Sequence, residues 1–129
     1  MLDFAYSGNA YDELLTLGVT LGTPAALLDA ATLCEEADFA VIDTDTLLHL
    51  TLATEPNAPL PKEQLTHGCA FWRLLEAGID LLHRIGRFVV VSGRLADNSV
   101  FEDALLEVGT DAILTRASQA APGSTSFLL

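Results

Sequence analysis

Phe39-Ala40-Val41-Ile42-Asp43 is an apolar run that stops on an acid, and Phe88-Val89-Val90-Val91-Ser92 is a β-branched run that stops on a hydroxyl. Short apolar runs of this kind read as strands of a parallel sheet, buried on both faces. Each leads straight into residues that a ligand can use: Thr44 and Asp45 after the first, Gly93 and Arg94 after the second. In parallel α/β sheets ligands bind outside the carboxyl ends of the strands. The two endings therefore mark where a site belongs, and they set how the rest of the chain is read.

Outward from these runs, the hydrophobic period changes from strand to helix and back. Leu2–Tyr6 reads as a short first strand, followed by a helix through Tyr11, Leu14 and Leu17 that stops at Gly18. Val19-Thr20-Leu21 is a second strand. Thr23 and Pro24 then supply an N-cap and first helical residue for a helix carrying Ala26, Leu27, Ala30 and Cys34 to Glu36. Thr46–Leu52 fits a helix or an extended segment. Residues 55–61 hold Pro56, Pro59 and Pro61, which exclude regular structure. Leu65, Trp72, Leu75, Ile79 and Leu82 predict one helix over 63–86, weakened at Gly68 and Gly78 and capped by Gly86. Asp97, Asn98 or Ser99 caps a helix through Phe101, Leu105 and Leu106 to Gly109, and Asp111–Arg116 is the last strand. Strands separated by helices require right-handed crossovers. The expected fold is α/β: a three-layer sandwich around a mostly parallel, doubly wound sheet of about five strands. Residues 1–116 form its single domain and 117–129 an uncharged tail.

Half of the 129 residues are hydrophobic and mean hydropathy is +0.39. No apolar run approaches the roughly 18 residues that a membrane helix needs. Met1-Leu2-Asp3 lacks the basic-then-apolar start of a signal peptide. The expectation is a cytoplasmic protein without membrane contact. Its apolar content is buried in part against a protein partner, here a second copy. Net charge is −12, and residues 1–61 contain no Lys or Arg. Such a surface repels phosphate backbones and disfavours nucleic acid, whereas a divalent cation suits it. Cys34 and Cys69 read as free thiols. His49, His67 and His83 lack metal-ligand spacing. Phe71 and Trp72 are core anchors or, in the sharper reading, interface anchors, and Phe127 in the tail joins them as an interface candidate.

Asp43, Ser92 and Arg116 end three successive predicted strands, so a parallel sheet brings them to one edge. In that order they resemble the receiver domains of bacterial response regulators, a flavodoxin-like fold. The resemblance implies a phosphoacceptor at Asp43 and phosphoryl contacts from Ser92 and Arg116. Tyr6-Ser7-Gly8 stands where that family carries an acidic pair for Mg²⁺, and Arg116 stands in place of a Lys. What it implies is therefore a degenerate phosphoacceptor site in a non-catalytic signalling or protein–protein interaction module, a homodimer that needs no cofactor. Mg²⁺ is the one candidate ion, on Asp43 and Asp45.

Two enzyme resemblances stand beside it. Asp43-Thr44-Asp45-Thr46-Leu47-Leu48 with Ser92-Gly93-Arg94 is similar to motifs one and two of haloacid-dehalogenase-type phosphatases. That likeness implies an Asp43 nucleophile, an Asp45 general acid and bound Mg²⁺. Val41–Asp45 and Asp111–Arg116 resemble the opening and closing strands of PIN-type nucleases, with Asp43, Asp45, Asp103 and Asp111 as metal carboxylates. The plain alternative is that Asp43 and Asp45 cap the turn after their strand and Ser92-Gly93 is an ordinary strand exit. A third converging acid favours catalysis; two adjacent acids favour binding.

Overall fold

The computed structural model describes residues 16–115 apart from Pro56 and His67. Four strands, β1 (Gly18–Leu21), β2 (Phe39–Asp43), β3 (Phe88–Ser92) and β4 (Ala112–Ile113), form one sheet in the order β1-β2-β3-β4. All three pairings are parallel. The register puts Leu21, Ile42, Val91 and Ile113 in one row, and it makes Asp43 and Ser92 direct partners at the carboxyl edge.

The helices follow from caps and breakers. Thr23 accepts from the Ala26 amide at 3.0 Å and Pro24 opens α1 (Pro24–Leu28). The expected helix to Glu36 is broken at Asp29, and α2 is only Ala30–Leu33. Asp43 caps α3 (Thr44–Leu52), which settles that segment as helical. The long helix begins late: a 3₁₀ turn at Lys62–Gln64 and left-handed Gly68 (φ +79°) precede α4 (Ala70–Arg84). Gly86, at φ +75°, ends it as expected. Asn98 caps a 3₁₀ turn at Ser99–Phe101 that runs into α5 (Glu102–Glu107).

α4 dominates the core. Phe71, Trp72, Leu75, Gly78, Ile79 and Leu82 recur every three or four residues and are buried. Gly78 gives α1 its close approach, because a Cβ there would stand 3.1 Å from the Leu27 Cβ. Phe71 and Trp72 meet edge to face at 5.1 Å, and the Trp72 indole donates to the Leu65 carbonyl at 3.3 Å. At 0% and 6% exposed, both lie in the core of the described residues.

The winding differs from expectation. A doubly wound sheet reverses its strand order, whereas this one deals its strands out in chain order. Right-handed crossovers then carry every helix to the same face, the winding of an arc of a (β/α) barrel. Burial agrees. Ala40, Ile42, Val89 and Val91 are fully buried under the helices. Phe39, Val41 and Val90 on the other face are half-buried, and Phe88 is 51% exposed. The two apolar runs are thus covered on one side among the described residues, in two layers rather than three. The fifth strand, expected at Leu2–Tyr6, lies outside the described residues, as do Arg116 and the tail. No described helix is long and apolar enough to cross a membrane.

Candidate functional site

The site is built where β2 and β3 end side by side. The chain turns into α3 at once, and Asp43 makes that turn. Its Oδ1 accepts from the Asp45 and Thr46 amides at 3.1 and 3.4 Å, and its Oδ2 accepts from the Thr46 hydroxyl at 2.9 Å. An acid at this position satisfies orphan amides and complements the helix dipole. The following residue, Thr44, is completely buried and donates its hydroxyl to the Ser92 carbonyl at 2.6 Å. The two strand exits are thereby tied together.

Gly93 makes the exit from β3 feasible. Its φ of +112° suits glycine, and a Cβ would stand 2.5 Å from the Thr44 Oγ1 and 3.1 Å from the Asp45 nitrogen. The tight passage brings Arg94 onto Asp45. The Arg94 amide and Nε both donate to Asp45 Oδ1, at 3.2 and 3.1 Å, and Nη1 donates to the Ala58 carbonyl at 2.7 Å. Arg94 therefore joins three parts of the chain: the end of β3, the start of α3 and the proline-rich connection. The Arg94 and Asp45 side chains are 36% and 38% exposed, open to a ligand from solution.

Ser92 is less committed. Its hydroxyl reaches the Ile42 carbonyl only at 3.5 Å, at the outer limit for a hydrogen bond. Gly22, directly after β1, forms the neighbouring wall: a Cβ there would lie 3.1 Å from the Thr46 Cβ and 3.7 Å from the Asp43 Cβ. Gly22 and Ala58 are the members that the sequence reading missed, and it placed Thr44 at the strand end without its tie to Ser92. Gly22 was within reach, since it follows a predicted strand as Gly93 does. Thr44 and Ala58 act through a buried hydroxyl and a backbone carbonyl, which leave no motif.

The structure thus gathers Asp43, Asp45, Ser92, Gly93 and Arg94 at one edge, while Arg116 and Phe127 lie outside the described residues. The nuclease set does not assemble. Asp111 stands at the opposite edge, where its Oδ2 accepts from His83 Nε2 and from the Val89 amide, each at 2.8 Å. Asp103 sits in the first turn of α5. His49 pairs through Nδ1 with the Thr54 carbonyl. Among the described residues no three His, Cys, Asp or Glu side chains come together as a metal site. Asp43 and Asp45 are the two acids present. Mg²⁺ commonly takes one or two carboxylates, with water and phosphate oxygens completing its shell, so the pair meets the minimum for that ion.

Comparison with known proteins identifies the family. The family described as PEP-utilising enzyme, PEP-binding domain, matches residues 3–122. Multiphosphoryl transfer protein 2 of Escherichia coli (strain K12) is 28% identical over 102 residues, which are 78% of this chain and 12% of that protein. Phosphoenolpyruvate-protein phosphotransferase of Geobacillus stearothermophilus is 28% identical over 116 residues, 89% of this chain and 20% of that protein. Its counterpart in Bacillus subtilis (strain 168) is 25% identical over 122 residues, 94% and 21%. The chain spans between 12% and 21% of the length of these curated relatives.

These findings overturn the receiver, haloacid-dehalogenase and PIN-nuclease resemblances, because the match over 3–122 is to another family. They also overturn the non-catalytic signalling module, since the relatives are named for phosphoryl transfer. In the structure Asp43 caps the first amides of α3 with Oδ1 and accepts the Thr46 hydroxyl at Oδ2. Short strand-end motifs recur wherever a parallel sheet places a turn after an acid, so they could not separate these families. The chain belongs to the family of PEP-utilising enzymes, as a PEP-binding domain sequence.

Proposed function

We propose that this chain is the phosphoenolpyruvate-binding segment of a phosphoryl-transfer protein, with the ligand seated at the carboxyl edge of β2 and β3. The observation that carries the reading is Arg94: a guanidinium fixed at the strand ends by Asp45 and Ala58 and about one-third exposed. Family membership supports the choice of ligand. In this reading Arg94, the Gly93 amide and the Ser92 hydroxyl meet the phosphoryl group, and the sequence candidate Arg116 is proposed as a second cation. Asp43 and Asp45 would hold Mg²⁺, whose contribution when bound is to offset phosphate charge. The relatives named as protein phosphotransferases support a protein as phosphoryl acceptor. A homodimer of cytoplasmic chains, with residues 1–116 as one α/β unit, belongs to the same proposal; two free thiols among the described residues support that compartment.

Titration of the ¹⁵N-labelled chain with phosphoenolpyruvate and Mg²⁺ tests it. The expected result is saturable shifts at the Asp45, Gly93 and Arg94 amides at millimolar ligand or below. Shifts confined to other edges, or none at 10 mM (about one hundred times a 0.1 mM Kd), would overturn the assignment.

A further inference from the structure

Arg94 is already engaged, and the way it is engaged selects what can displace it. Asp45 uses a single oxygen, Oδ1, for both the Arg94 amide and Nε, and Nη1 is on a neutral carbonyl. This is not the two-oxygen, fork-on-fork pairing that makes an arginine–carboxylate contact strongest. A ligand offering one carboxylate gains little over the acid already present. A phosphoryl dianion offers two oxygens to the fork and more charge, and can replace both present acceptors together. At 36% exposed, the side chain is within a ligand's reach.

Displacement has a structural consequence. The Nη1 bond ties β3's exit to the connection at Ala58, which is followed by Pro59 and Pro61 and carries the Ala58–Glu55 and Lys62–Leu60 backbone bonds. We propose that Arg94 is the specificity-determining residue of this edge: it exchanges Asp45 and Ala58 for a phosphoryl dianion, and the exchange releases the segment around Ala58. This rests on the phosphoenolpyruvate reading for the ligand, but the latch itself does not.

Hydrogen–deuterium exchange over residues 53–66 tests it, in the intact chain and in Arg94→Gln and Arg94→Lys, with calorimetry reporting binding separately. Circular dichroism establishes that each variant is folded. Without ligand, Arg94→Gln is expected to raise exchange in this segment about tenfold, and Arg94→Lys by less, as a latch bond is lost. In the unmodified chain, phosphoenolpyruvate and inorganic phosphate are expected to produce the same rise, and pyruvate none. Unchanged exchange in a folded Arg94→Gln overturns the latch whether or not phosphoenolpyruvate binds. Binding of phosphoenolpyruvate with the segment still protected overturns the exchange while leaving the binding reading intact. Failure of phosphoenolpyruvate to bind, with phosphate still releasing the segment, sinks the binding reading and keeps the latch. Release by pyruvate as well overturns the selectivity, and release by none of the three anions overturns the proposal.

Discussion

The Thr44 hydroxyl and the Ser92 carbonyl meet at 2.6 Å across the boundary between β2 and β3. Thr44 is fully buried, so the bond is shielded from water and its loss leaves a carbonyl without that donor. Thr44→Val keeps the shape and removes the donor. The expected cost is about 1–3 kcal/mol, read as a lower urea midpoint with an unchanged slope. Thr44→Ser is expected to recover most of it. Equal losses from Val and Ser would assign the effect to packing instead.

A second bond set ties the amino edge. Asp111 accepts from both His83 and the Val89 amide, joining α4, β3 and the start of β4. Asp111→Ala removes both partners and is expected to cost about 1 kcal/mol, whereas His83→Ala leaves the Val89 bond and costs less. With side chains 39% and 32% exposed, the ion-pair share is small and declines with salt. Thermal unfolding of the two variants at low and high ionic strength checks the order; a His83→Ala loss as large as that of Asp111→Ala would contradict it.

Cys34 carries a dependence on pH. Burial pushes its thiol above the ordinary range, and the Arg87 guanidinium partly offsets the rise. Arg87 also donates to the Cys34 carbonyl at 3.1 Å. A raised folded value means that, above the ordinary thiol range, the unfolded chain has released a proton that the folded chain retains. Stability is then intact at neutral pH and falls as pH climbs through that window. Urea midpoints measured from pH 7 to 10 are expected to decline less steeply in Cys34→Ala than in the unmodified chain. In the same window Cys69, which is partly exposed, is expected to be alkylated faster than Cys34.

The sequence made the elements legible where composition is local. β2 spans the quoted Phe39–Asp43 run and β3 the Phe88–Ser92 run; Thr23, Pro24 and Gly86 act as a cap, a start and a stop. The winding was not legible. Val41 and Val90 are as apolar as Ile42 and Val91, so nothing in the run tells the covered face from the uncovered one. Strand order is a property of the whole sheet, carried by no single segment. Asp43, Asp45, Ser92, Gly93 and Arg94 lie together at one edge, a proximity legible in the sequence because strand ends of a parallel sheet share an edge. Their bonding was hidden. Arg94 and Asp45 are 49 positions apart, and Ala58 contributes a carbonyl that any residue could supply.

The chain-order sheet also has a bearing on how the molecule comes apart. Among the described residues each strand pairs only with its immediate successor and predecessor, so β1 and β4 have one described neighbour each while β2 and β3 have two. Cooperativity in such a row passes from unit to unit, as in a stack of repeats. β4, joined to β3 by two residue pairs against five for β2 with β3, makes the shortest joint among the described strands. Opening is expected to begin there and move inward, with the joint between β2 and β3, where the ligand edge lies, the last to yield.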